Sequence, residues 1–204
     1  MTKRQLKRVL ALVAAAVFVF AVSGCSGTDS GKAAEKKSAS VGQWVTTMKV
    51  SAEDKKAHKV KFRVTKVVRD QKKVSRIIDD YNSSAKGQTV DTSAGSDDLE
   101  YCAAYYQVKY PAGFPAKEWG ISDVTLDFSI TGLDGGTVSS GGTKYEGIGD
   151  TVEIGNEPEG YDFYPPKTYK GKFVFLMVKG DSDYLFKTTE KKGDTTYVKY
   201  IRGK

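Results

Sequence analysis

From Trp44 onward the chain keeps returning to a hydrophobic period of two, and that period steers it toward sheets. Val60, Phe62 and Val64 alternate with Lys59, Lys61 and Arg63. Cys102, Ala104, Tyr106, Val108 and Tyr110 fall on one side of a second segment, which Pro111 stops. Val124, Leu126, Phe128 and Ile130 alternate with Thr125, Asp127, Ser129 and Thr131. Successive side chains of a strand point to opposite faces, so each segment has a dry side and a wet side. Trp44, Thr46, Met48 and Val50 are read as one face of an earlier strand. The alternation breaks at Lys66, Val67 and Val68, where a β-bulge would return the apolar side chains to the core.

Other segments complete a mainly β chain. Phe173 to Val178 is a continuous apolar run, the pattern of a central strand. Tyr184–Thr189 and Thr195–Ile201 form a final hairpin around Lys192, Gly193 and Asp194. Leu133-Asp134-Gly135-Gly136 carries the Asp-Gly hairpin signal, followed by a weaker strand over Gly136–Ser140. Another weak strand covers Thr151–Ile154, which brings the count to seven to nine. Only one segment has helical spacing: Val74, Ile77, Ile78 and Tyr81 make a single stripe, Asp70 is a suitable N-cap, and Asn82 to Ser84 end it. Lys86 to Asp98 reads as a loop. Short strands at this spacing with Gly-rich turns predict an antiparallel β-sandwich of two sheets with one short helix.

The N-terminus has a different pattern. Lys3, Arg4, Lys7 and Arg8 precede fourteen apolar residues, Val9 to Val22. A basic head, a short apolar run and small residues make a secretion signal, and the run falls short of the roughly 20 residues of a spanning helix. Val22-Ser23-Gly24-Cys25 resembles the bacterial lipobox. That resemblance implies cleavage before Cys25, lipid on its sulfur and an acylated N-terminus. Residues 1–24 are thus expected to be a lipoprotein signal peptide and 25–42 a lipidated tether, rich in small and charged residues, with a reach of roughly 20–25 Å. Residues 43–204 remain for one domain, long enough to bury a core without disulfides.

The later half resembles a known group. Tyr105-Tyr106-Gln107-Val108-Lys109-Tyr110, then Phe114-Pro115, Asp123 to Thr131 with Gly135, and Thr168-Tyr169-Lys170-Gly171-Lys172-Phe173-Val174-Phe175 follow a recurring order. This order is similar to a domain of Gram-positive bacterial lipoproteins, grouped with secreted mycobacterial immunogenic proteins of immunoglobulin-like fold. The resemblance implies an immunoglobulin-like sandwich at the cell surface. It carries no catalytic or ligand residues across. A cysteine pair around a core Trp is missing, so the likeness is one of architecture.

Catalytic chemistry finds little to use. His58 is the sole histidine and sits among Lys55, Lys56, Lys59 and Lys61. With lipid on Cys25, Cys102 has no partner and reads as a small core residue. One histidine and one thiol do not make a zinc site. Asp181, Asp183 and Glu190 fail the EF-hand spacing, since Leu185, Phe186 and Lys192 stand at its fifth, sixth and twelfth positions. Gly147-Ile148-Gly149 lacks the third glycine of a dinucleotide fingerprint. Glu153, Glu157, Glu159 and Asp162 form an acidic stretch, read as a solvated loop. No cofactor and no metal are expected.

Charge is unevenly distributed along the chain. The full chain has 32 basic and 25 acidic side chains, and losing four basic ones with the signal leaves a net charge near +3. That balance gives no support to nucleic-acid binding. Residues 49–76 carry eleven Lys or Arg against three acidic residues, 77–165 carry four against sixteen, and 166–204 carry ten against four. Either the basic and acidic segments pair across neighbouring strands, or a basic face meets anionic lipid or wall polymer. Lys59, Lys61 and Arg63 are the candidate contacts for such a surface. Tyr161, Phe163, Tyr164 and Tyr169, around Pro165-Pro166, are a candidate aromatic binding surface. The reading is a membrane-anchored extracytoplasmic lipoprotein with a non-enzymatic sandwich. Its partners would be the membrane, through the lipid, and a cell-wall polymer or extracellular protein. The alternative is a cell-envelope hydrolase, or a hydrolase inhibitor, that uses carboxylates instead of histidine.

Overall fold

The computed structural model describes residues 37–84, 89–115, 125–138, 148–154 and 165–203. Among them are nine strands and one helix: β1 (Ala39–Ser40), β2 (Val45–Val50), β3 (Ala57–Val68), α1 (Gln71–Ser84), β4 (Leu99–Tyr110), β5 (Phe128–Gly132), β6 (Thr151–Glu153), β7 (Lys167–Val178), β8 (Tyr184–Lys192) and β9 (Thr195–Arg202). They form a five-stranded sheet, β2-β3-β4-β7-β6, and a four-stranded sheet, β1-β9-β8-β5. From β3 onward the pairing is β3-β4-β7-β6 in one sheet and β9-β8-β5 in the other. That is the ABED and GFC strand order of a constant-type immunoglobulin sandwich, with β2 added beyond the first strand. Every pairing is antiparallel except β1 with β9, which is parallel. Through that pairing Ala39 and Ser40, inside the stretch read as tether, are part of the fold.

The inner faces of both sheets meet in one aromatic core. Phe62, Tyr106, Phe173 and Phe175 come from the five-stranded sheet, and Phe128, Tyr184 and Phe186 from the other; all are buried. Phe128 stacks on Phe173 with centroids 4.8 Å apart, and Phe173 meets Phe186 edge-on at 5.8 Å. Cys102 lies in the same core on β4 and is fully buried. Burial pushes its thiol up to about 12, as expected of a structural cysteine. At one side β2 is tied across to β8: the Val50 amide donates to Glu190 at 2.7 Å, and Lys49 lies 3.9 Å from the same carboxylate.

The helix explains why Val174, within the run Phe173–Val178, is apolar at an outward position. Asp70 caps α1 by accepting the Lys73 amide at 3.2 Å. Val74 and Ile78, with Ile77 and Tyr81, then pack on Val68, Ala103 and Val174, on the outside of the five-stranded sheet. Val174 is therefore buried on the face that would otherwise be wet. Val90 joins this cluster and is pinned by Asn82, which exchanges two 2.8 Å hydrogen bonds with its backbone. The stretch read as a loop is thus anchored to the fold here.

Three local expectations change. The register of β3 against β4 shifts between Val64 and Lys66, as the broken alternation predicts. The bulge returns Val67 to the core but sends Val68 outward under α1. On β2 the inward residues are Val45, opposite Phe62, and buried Thr47, opposite Val60. Trp44, Thr46 and Met48 lie on the wet side, because β2 is an edge strand and its apolar content does not set its facing. Lastly, the turn Gly132–Gly136 forms, but β5 pairs with β8 and the described residues after the turn make no strand. Val124 lies outside the described residues, while Leu126, Phe128 and Ile130 share a buried face as expected. The β8–β9 hairpin forms around Gly193, whose φ of 56° suits a two-residue turn.

A candidate anion-binding face

The bulge after Val64 leaves Lys59, Lys61 and Arg63 on the same side of β3, opposite the core residues Val60, Phe62 and Val64. Register then decides what stands beside them. Lys61 is directly opposite Lys109 of β4, which is opposite Thr168 of β7. Arg63 is opposite Gln107, which is opposite Lys170. Lys66 is opposite Tyr105, which is opposite Lys172. Three parallel rows cross the sheet, and Lys59, opposite Met48 of β2, begins a fourth. Strands β2, β3 and β7 contain no acidic residue, and β4 contains only Glu100, at the helix-covered end.

The face thus brings Lys59, Lys61 and Arg63 together and adds Lys66, Lys109, Lys170 and Lys172. Lys66 lies beyond the bulge on the same strand, while Lys109, Lys170 and Lys172 come from segments far apart in sequence that pattern reading had no means of pairing. The two basic segments flank β4, a strand of the acidic segment whose only charged residues are Glu100 and Lys109, so this pairing brings no acid to the face. Lys59, Lys61, Lys66, Lys109 and Lys170 are exposed. Among the described residues no carboxylate makes an ion pair with any of the seven. Like charges directly opposite each other destabilise a sheet, so the Lys61–Lys109 pair does not serve the fold.

One corner of the face is ordered. The Arg63 guanidinium lies 4.5 Å from the Trp44 ring centroid and donates from Nε and Nη2 to the Gln107 side-chain oxygen at 3.0 and 2.9 Å. Trp44 remains 39% exposed, which makes it one of the large apolar side chains left in solvent. Lys66 lies over the Tyr105 ring at 5.3 Å. Such contacts fix the direction of a cation without neutralising it. At the other end of these strands, on the core side of the sheet, Arg69 pairs with Glu100 and donates to the Asp181 carbonyl, tying the end of β3, β4 and the β7–β8 turn together. That pair closes the helix-covered end and belongs to the fold.

The carboxylate nearest the basic rows in the pairing order turns inward. Glu153 of β6 is opposite Phe173, accepts the Tyr106 hydroxyl at 2.9 Å and is also bonded by Tyr169. Burial pushes its carboxyl up to about 7, against the opposing hydrogen bonds from Tyr106, Tyr169 and the Lys172 backbone. Gly171 makes room for this contact, since a Cβ there would lie 2.4 Å from the Tyr106 ring.

The remaining candidates fall elsewhere. Tyr169 is buried against Tyr106, 6.0 Å between centroids, because odd-numbered residues of β7 face the core. It is not part of an aromatic surface. Tyr161, Phe163 and Tyr164 lie outside the described residues, as does Cys25. His58 Nε2 is paired with both Asp54 oxygens at 2.9 and 3.1 Å, and its ring packs 5.3 Å from Phe114. Nearby Ser51 is buried; its hydroxyl donates to the Pro115 carbonyl and accepts the Glu53 amide. Among the described residues no three metal-ligating side chains cluster, and no helix is long and apolar enough to cross a membrane. Comparison with family models, curated proteins and solved structures finds no match to this chain.

Proposed function

We propose that this chain is a lipid-anchored, extracytoplasmic, non-enzymatic binding module that holds an anionic component of the cell envelope on the outer face of its five-stranded sheet. The observation that carries the reading is the acid-free array of Lys59, Lys61, Arg63, Lys66, Lys109, Lys170 and Lys172. Juxtaposed positive charges on a low-dielectric sheet raise the local concentration of anions. The lipobox-like Val22-Ser23-Gly24-Cys25 supports the location, and two acyl chains suffice for stable anchoring where one is marginal.

Two measurements test the two halves. Cys25→Ala is expected to abolish acyl labelling and membrane fractionation; unchanged labelling sinks the anchor. The unlipidated mature chain is expected to co-sediment with wall fragments or anionic vesicles at low salt and to leave them as salt rises, since the Debye length falls from about 10 Å at 0.1 M to 3 Å at 1 M. Absence of binding at low salt sinks the module.

A further inference from the structure

The shape of the basic face points to the kind of anion it takes, an inference that rests on the reading above. Helix α1 packs on the same outer face, over Val68, Ala103 and Val174, and Tyr105 borders that cluster. The row Lys66–Tyr105–Lys172 therefore runs along the foot of the helix. A helix is about 10–12 Å across, so α1 rises above the lysine ammoniums beside it. A broad flat surface meets the helix before it meets the row at its foot. A thin chain lying across the strands, parallel to the rows, meets no such obstacle.

The cation spacing fits a chain as well. Neighbouring strands are about 4.8 Å apart, so Lys61 and Lys109 stand about that far from each other. Arg63 and Lys170, with β4 between them, stand at about twice that distance. Successive rows are about 7 Å apart along the strands. Uncharged donors and acceptors stand beside the cations: Gln107 between Arg63 and Lys170, and Thr46 and Thr168 at the two ends of the Lys61–Lys109 row. Gln107 gives its oxygen to Arg63, which leaves its NH2 group to donate outward. Ammonium groups on flexible stems suit point-like phosphates at varied positions better than planar, bidentate recognition does. A hydroxyl-bearing spacer between phosphates on Arg63 and Lys170 would meet Gln107.

We infer that the strip of outer sheet face beside α1 binds a linear phosphodiester polymer lying across strands β3, β4 and β7, with Arg63, Lys61, Lys109, Lys170 and Lys172 on its phosphates. Trp44 reports the site, because its ring lies under Arg63.

The test uses the unlipidated mature chain with Cys25→Ala. A Trp119→Phe background leaves Trp44 as the one indole of the two in the sequence. Poly(glycerol phosphate) chains are titrated against Trp44 fluorescence, beside monomeric glycerol 3-phosphate at equal phosphate and phosphatidylglycerol vesicles. The polymer is expected to bind and change the Trp44 signal, with the monomer at least about 100-fold weaker per phosphate, since one phosphate engages one or two cations where the chain engages several. Reversal of Lys61, Lys109 and Lys170 to Glu is expected to weaken polymer binding about 100-fold. Reversal of the exposed Lys191, Lys192 and Lys199 on the other sheet should leave it within about threefold. Far-UV circular dichroism and thermal unfolding check that each variant folds, and the Gln triple replaces the Glu triple if it does not. Binding of vesicles without binding of free polymer overturns the inference and leaves the anionic-surface reading standing. Binding of neither overturns both. Polymer binding that survives the Lys61, Lys109 and Lys170 changes also overturns it, by placing the site elsewhere.

Discussion

At one end of the outer face of the five-stranded sheet, Val68, Ala103 and Val174 lie beneath Val74 and Ile78 of α1. At the other end the same strands present Lys61, Lys109 and Lys170 to solvent. Strands β3, β4 and β7 run through both ends with one continuous inner face. The difference therefore does not come from the strands' own pattern. It comes from the cover: where the helix lies, the outer positions are apolar, and where it stops, they become basic without a balancing acid. A face that only needed to be wet would mix charge signs, since opposite charges across strands stabilise and like charges do not. The bare end has given up that stabilisation.

The comparison can be broken at several levels. The inner face serves both ends, so Phe128→Ala should cost about 3–5 kcal/mol in urea unfolding, the largest loss here. Beneath the helix, Ile78→Ala should cost about 2–5 kcal/mol. Lys170→Ala at the bare end should stay within about 0.5 kcal/mol. Equal losses at Ile78 and Lys170 would mean that α1 does not cover the sheet as described.

Glu153 sharpens the contrast, because it turns a carboxylate away from the basic rows and into the core. Its folded pKa, about 7, lies above the ordinary 4.5. Its contribution to stability is therefore complete below pH 4.5 and is lost as pH rises through 7. One pKa unit corresponds to about 1.4 kcal/mol, so the loss is on the order of 3 kcal/mol. Tyr106 and Tyr169 face the same carboxylate, but burial pushes the Tyr106 hydroxyl further up and it does not titrate in this window. Glu153→Gln should flatten that part of the stability–pH curve. A curve of unchanged slope in the variant would show that the carboxylate is ionised in the fold.

The smallest effect concerns the cost of the bare end itself. Lys109→Glu converts the like-charged Lys61–Lys109 pair into an opposite pair and should stabilise the domain by about 0.2–1 kcal/mol at low salt, fading as salt rises. A loss of stability would mean that the pair is relieved by a contact other than screening. The same variant should bind the anionic component less well, so stability and binding would move in opposite directions.

Much of this was legible in the residues. Strand faces at Val60–Val64 and Cys102–Tyr110, the bulge near Lys66, the helix from Asp70 to Ser84 and the last hairpin all follow from period and turn chemistry. Lys59, Lys61 and Arg63 could be named as one row because alternation alone puts them on one side. Where packing against a distant element sets the outcome, the pattern misleads. Trp44 and Met48 look like core and lie on the outer side of the sheet, Trp44 exposed and Met48 half-buried, while Val174 looks like core and is, but on the outer face.

By itself, then, the sequence determined the two-sheet β architecture, the position of the helix in the chain, the facing of β4 and of β3 up to its bulge, and a buried, unpaired Cys102. These depend on residues within a few positions of one another, where period and sterics act directly. Only the tertiary structure decided that β3 and β7 flank β4, that α1 covers one end of their shared face, and that Glu153 leaves that face for Tyr106 and Tyr169. Register between strands tens of residues apart is fixed by the whole core closing at once, and a charge acquires its neighbours only when that happens.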